Sequence, residues 1–305
     1  MKKLAGKPPI FRIARNTAGA LILLFLALSI FRHFSAAFDA ALSISPTALL
    51  FSALCSLLAY VISANAWVKL AESEKISSSW LHHAHIWMLS RLGRYIPGKI
   101  FPIIIRVGGY TEGNRIKAAT ATLNEQLVTL ACSTAFLALT AFSGVLKTEV
   151  NTVLLAFSAF GVLAALGISP LILRRTFNYV AAHRPGIGEY NPPPNKTLLA
   201  SAFFTLAAML LHGASLLALV SEFETFTVSD LFPITAYYYA AGIIGMLAFV
   251  APGGLGVREG ALAFFLQSVL PPPVAIACSV MIRCVSLSTE LIFSGFLYVA
   301  NHETT

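Results

Sequence analysis

The residues with most chemical potential are charged side chains set inside apolar sequence. Arg91, Arg94, Lys99 and Arg106 lie in the stretch RLGRYIPGKIFPIIIR, together with Tyr95 and among Leu, Ile and Phe. Four cations in such surroundings are costly unless an anion meets them. Pro97 and Pro102 each remove a backbone donor and Gly98 loosens the chain, so a straight helix through lipid is disfavoured and a bent or re-entrant element is expected. The bend would leave unpaired backbone N–H groups beside cations, which suits a phosphate-bearing lipid headgroup or a lipid-linked diphosphate. The competing reading is a set of snorkelling side chains that anchor helix ends at headgroup level.

A second interrupted stretch, APGGLGVREGAL, runs from Ala251 to Leu262. Gly253, Gly254 and Gly256 would each cost about 1 kcal/mol inside a helix, so with Pro252 they imply a turn or a close backbone approach. Arg258 and Glu259 open the next helical piece, where Glu259 suits the helix dipole. Gly256 and Gly260 offer a small surface for close helix packing. A tight loop with a helix cap would use the same residues. Two uninterrupted apolar stretches also carry polar faces at helical spacing: Thr122, Glu125, Thr129 and Ser133 in one, Ser279, Arg283, Ser286 and Glu290 in the other. A charge at mid-bilayer costs roughly 2.5–3.5 kcal/mol on insertion scales, so these faces should point inward and find partners. Glu125 with Arg283 is the expected pair, Arg258 the rival partner, and Glu290 a further member of an interior gate. Such a pair can equally be structural, fixing register and moving nothing.

Other chemistries fit less well. Gly93 to Lys99 has the spacing of a nucleotide-binding loop, but Ile100 stands where a hydroxyl should hold magnesium and no strand precedes it. His82, His83 and His85 lack a carboxylate or cysteine to complete a metal site, and packing with Trp80 and Trp87 at the interface explains them better. Cys55, Cys132, Cys278 and Cys284 fall in apolar stretches without metal spacing and read as small buried thiols. Nothing resembles a nucleophile elbow or paired catalytic carboxylates. The expectation is therefore no enzyme, no metal and no cofactor.

The elements that must position these residues are helices in a bilayer. Of 305 residues, 57% are apolar and 11% charged, with a mean hydropathy of +0.78, too little charge to cover a water-soluble fold. Apolar windows long enough to cross fall near 16–34, 46–68, 116–145, 150–173, 198–221, 231–251 and 274–300, and two broken ones near 80–106 and 253–270. The fold class is thus all-α: a polytopic helical membrane protein of about seven or eight transmembrane helices with two Gly/Pro-broken re-entrant elements, forming one domain over 1–305. The net charge of +8 sits between the apolar stretches. With the N-terminus cytoplasmic, Lys and Arg, Arg258 counted among them, concentrate on the inner face, as topology rules require. The Pro- and Gly-rich segment His183 to Lys196 reads as a connector.

GRYIPGKIF, the following GGYTEGNRIKAATATLNEQL and, farther on, PGGLGVREG together resemble the transmembrane region of lysylphosphatidylglycerol synthases and related stand-alone flippase-like membrane proteins, over nearly the whole chain. Arg94, Tyr95, Pro97, Gly98 and Lys99 match the first motif; Pro252, Gly253, Gly254, Gly256, Arg258 and Glu259 match the second. Glu125 stands where the family tends to have Glu-Arg, and Gln126 departs from the basic partner. The resemblance implies a multi-pass protein of the plasma (bacterial inner) membrane that moves an anionic phospholipid or a lipid-linked sugar such as a polyprenyl-phosphate sugar between leaflets, without the soluble synthetic domain. Arg94, Lys99 and Arg258 would receive phosphate. Two alternatives stay open: a non-transporting membrane partner of a separate glycosyltransferase or lipid synthase, and an integral enzyme with Glu125 or Glu259 as base. Nucleic acid is not an expected partner.

Overall fold

The computed structural model describes residues 34–96, 100–143, 192–248 and 251–303, with positions 152, 155, 156, 158 and 159. Most of the expected windows 16–34 and 150–173, and Pro97, Gly98 and Lys99, lie outside the described residues. The described residues form helices and no strand: α1 (Phe34–Leu42), α2 (Pro46–Ser73), α3 (Trp80–Leu92), α4 (Phe101–Gly108), α5 (Glu112–Phe142), α6 (Asn195–Val220), α7 (Leu231–Leu247), α8 (Val257–Leu266) and α9 (Pro272–Glu303). Local chemistry fixes several starts. Ser45 accepts from the Ala48 N–H at 3.2 Å with Pro46 in the first turn of α2, and Ser79 accepts from the His82 N–H at 3.2 Å to open α3.

Four helices, at Pro46–Ser73, Glu112–Phe142, Asn195–Val220 and Pro272–His302, are long and apolar enough to cross a bilayer. Four such helices fit a multi-pass membrane protein. The windows 231–251 and 253–270 behave as one unit: α7 stops at Leu247 and α8 runs back along it. The Tyr237 ring stacks on Phe265 at 5.9 Å and its hydroxyl lies 3.0 Å from Ser268 Oγ, while at the far end a Cβ on Gly245 would lie 2.9 Å from that of Arg258. Helices α3 and α4 form the equivalent hairpin, with His83 Nδ1 2.7 Å from the Tyr110 hydroxyl and a Cβ on Gly109 pressed onto Ile86.

The two hairpins come from opposite ends of the bundle. Ser45 N–H donates to Glu222 Oε2 at 3.1 Å and Cys278 Sγ lies 3.9 Å from the Leu219 carbonyl, so the starts of α2 and α9 share an end with the close of α6 and the open end of α7–α8. At the other end His85 meets Tyr298 at 5.9 Å, which places the open end of α3–α4 beside the C-terminal part of α9. Two apolar clusters fill the ends: Met209, Leu216, Leu219, Tyr237, Phe265 and Leu266 in one, Trp67, Leu70, Trp87, Met88, Tyr110 and Leu297 in the other. Close approach of α2 and α6 is permitted by small polar residues, Ser215 Oγ lying 2.8 and 2.9 Å from the hydroxyls of Ser52 and Ser56. Leu54, Leu58, Phe203, Leu291, Ile292 and Phe296 face outward, as lipid solvation allows.

Candidate functional site

Between the two apolar clusters lies a belt of charge built where the hairpin tips meet. The tip of α3–α4 is a short 3₁₀ turn, Gly93–Tyr95; that of α7–α8 is Pro252–Gly254. The second tip needs glycine for two reasons. Gly253, Gly254 and Gly256 have φ of 61°, 70° and 81°, a region costly for residues with a Cβ. Space is also exhausted: a Cβ on Gly253 would sit 2.7 Å from Tyr95 Cδ1, and one on Gly254 would sit 3.0 Å from the backbone of Gly245. Tyr95 thus wedges against the opposing tip.

Three carboxylates organise the belt. Glu290, fully buried on α9, takes Arg94 Nη2, Arg91 Nη2 at 3.4 Å and the Tyr95 hydroxyl at 3.1 Å, while Arg94 also donates to the Tyr95 hydroxyl at 3.0 Å. Glu125 on α5 takes Arg106 Nη1 and the Trp87 indole N–H at 2.6 Å. Arg106 is held further by Ser90 Oγ, at 3.1 and 2.9 Å from Nε and Nη2, and by the Trp67 ring at 4.4 Å. Glu259 on α8 accepts from the Gly256 N–H at 2.6 Å and lies 3.2 Å from Arg283 Nε, and Arg283 Nη2 donates to the Gly253 carbonyl at 3.1 Å. The capping geometry expected of Glu259 is therefore present and doubles as an ion-pair partner.

The pairing differs from the one the sequence suggested. Glu125 pairs with Arg106 rather than Arg283 or Arg258, and Arg283 pairs with Glu259. The physical reason is the α3–α4 hairpin, which returns Arg106 to the face of α5 bearing Glu125, while Arg283 stays level with the other tip. Gln126 is exposed, so the missing neighbouring base is replaced from another helix. Arg258, assigned above to the cytoplasmic face, stands instead beside the second tip, its guanidinium 4.6 Å from the Tyr238 ring centroid. Of the thiols, Cys55, Cys132 and Cys278 are buried but Cys284 is exposed, because it follows Arg283 and turns to the lipid side of α9.

The inward polar faces hold for Thr122, Glu125 and Ser133, and for Ser279, Arg283, Ser286 and Glu290, all buried, whereas Thr129 is only half-buried. The sequence reading missed the rings that carry the cations. Arg91 lies 5.0 Å from both the Tyr60 and Trp87 rings; Tyr60 meets His212 edge-on at 5.2 Å; His212 stacks on Tyr238 at 5.6 Å; Arg258 covers Tyr238. A ladder of rings so links two guanidiniums from the two hairpins. The run Tyr237 to Tyr239 inside an apolar window was its one sequence signal.

Among the described residues the belt holds five guanidiniums, those of Arg91, Arg94, Arg106, Arg258 and Arg283, against the carboxylates of Glu125, Glu259 and Glu290. Two positive charges are left over, and no described carboxylate pairs with Arg258. Such a belt can hold an anion.

Comparison with curated proteins finds no match. The family profile described as the lysylphosphatidylglycerol synthase TM region matches residues 16–293 and so takes in both hairpins, their tips and Arg283 and Glu290. The chain belongs to the lysylphosphatidylglycerol synthase transmembrane-region family.

Proposed function

We propose that the protein moves an anionic phospholipid or lipid-linked sugar across the plasma membrane, its headgroup passing the arginine belt while its tail stays in lipid. The observation that carries this reading is the surplus of two guanidiniums over carboxylates at the meeting point of two hairpins from opposite ends. With the N-terminus cytoplasmic, α3–α4 re-enters from the cytoplasmic leaflet and α7–α8 from the outer one, and α9 ends in the cytoplasm. Each hairpin then presents arginines toward one leaflet, Arg91 and Arg94 from one and Arg258 from the other.

In the arrangement seen, the contact of Tyr95 with Gly253 closes the path between them. A phosphate arriving at Arg94 competes with Glu290 for the guanidinium; withdrawal of Arg94 frees the Tyr95 hydroxyl, and the wedge between the tips loosens. The phosphate then transfers to Arg258, and Glu290 recovers Arg94. No bond is made or broken, so the protein acts as a carrier and not an enzyme.

The test is transbilayer movement of a fluorescent phosphatidylglycerol in vesicles holding the purified protein. Arg258→Ala should slow movement at least about tenfold, the size of one lost charge-assisted contact of ~1.5 kcal/mol. Unchanged movement in a variant that reconstitutes normally contradicts the proposal. Movement absent even from wild type, with a lipid-modifying enzyme co-purifying in equal amount, would favour the partner-protein reading.

A further inference from the structure

Arg258 and Arg283, with Glu259, Leu262, Ser279 and Ile282, line a cavity of ≈ 10 Å³. That is the space of about one water-sized sphere. Its polar walls are unevenly satisfied. Arg283 is 6% exposed and its Nε has no hydrogen-bond partner beyond the ion pair with Glu259. Glu259 is occupied on its other oxygen by the Gly256 N–H. Ser279 spends its proton on the Ile276 carbonyl at 2.8 Å. Arg258 has the Tyr238 side chain, through its ring face and its hydroxyl, as its described partner, and no described carboxylate. Two guanidiniums thus border one small space in which a single carboxylate is already neutralised. The start of α8 adds its positive end to the same wall.

We infer that this cavity is a binding site for a monatomic anion of the chloride class, which neutralises Arg258 while no lipid phosphate is present. A water molecule fits the volume but leaves the half-buried Arg258 charge without a counter-ion. A phosphate supplies the charge but needs several times the volume. A halide supplies the charge and, at roughly twice the volume of a water, asks only that the flexible Arg258 and Arg283 side chains draw back by about half an ångström. This inference rests on the transport reading for one consequence only: an incoming phosphate takes Arg258 from the halide, so anionic lipid and halide compete.

The test uses the full chain in an uncharged detergent, at constant ionic strength and pH, with chloride exchanged for gluconate. Thermal unfolding followed by tryptophan fluorescence should rise with chloride or bromide and saturate. The ³⁵Cl linewidth of the same samples should broaden in the presence of the protein. Arg258→Gln should raise the halide concentration for half-effect by at least about tenfold. Adding phosphatidylglycerol should narrow the ³⁵Cl line, whereas phosphatidylcholine should not. Equal unfolding temperatures in chloride and gluconate, with no broadening in wild type, overturn the halide site. So does a salt effect of the same size in wild type and variant without broadening. Because wild-type line broadening needs neither a variant nor lipid movement, a failed transport assay leaves this result standing, and a failed halide assay leaves transport to be judged alone.

Discussion

Arg106 and Glu125 show what single side chains contribute here. Both are buried, and each has further partners that its loss would strand: Ser90 for the guanidinium, the Trp87 indole for the carboxylate. Removing one member of a buried pair costs about 3–5 kcal/mol, so Glu125→Gln should lower the unfolding temperature markedly in detergent. Arg106→Gln with Glu125→Gln together should cost clearly less than the two separate losses summed, as a double-mutant cycle would read. Gly253→Ala combines a positive φ with a clash against Tyr95 and should part the tips, changing transport more than stability. At this scale the sequence was informative about which residues matter and poor about which pair. Glu125, Arg283 and Glu290 stood out because charge in apolar sequence must be compensated, but partner choice depends on where a hairpin returns. The aromatic ladder was hidden because Tyr60 and His212 sit singly in apolar windows.

The two hairpins are the elements on which the account depends, and their directions make a prediction of their own. In a cysteine-free background, Val269→Cys should react with an impermeant maleimide from the outside and Ser77→Cys from the inside. Reaction of both from one side would remove the opposed-hairpin reading. The turn between α2 and α3 carries a second test. Glu74, which caps α2, has a buried Oε1 without a hydrogen-bond partner, and burial pushes its carboxyl up to about 7, Lys117 only partly offsetting this. The folded state therefore favours the protonated form: its contribution to stability falls as pH rises from about 4.5 to 7 and is level above. Glu74→Gln should accordingly stabilise the protein at pH 8 and leave it unchanged near pH 4, as measured by thermal unfolding. The interruptions themselves were legible, since Pro97, Pro102 and the glycines around 254 cannot continue a helix through lipid. That 231–251 and 253–270 form one hairpin was not, because hydropathy gives the length of α7 and α8 but no sign of their pairing through Tyr237, Phe265 and Ser268.

For the whole molecule, what composition indicates is a bilayer solvent, and the outward set of Leu54, Phe203, Ile292 and Phe296 agrees with it. The family assignment, readable in the two tip motifs, extends over residues 16–293. What only the assembled fold supplies is the excess of guanidinium in the mid-bundle belt, a property of no single motif. Selectivity should follow from that excess. The most direct measurement is the movement of head-labelled lipids in vesicles holding the wild-type protein, comparing phosphatidylglycerol with phosphatidylcholine of the same acyl chains. The account predicts that the anionic lipid crosses at least about tenfold faster than the zwitterionic one; equal rates, or none above protein-free vesicles, would contradict it.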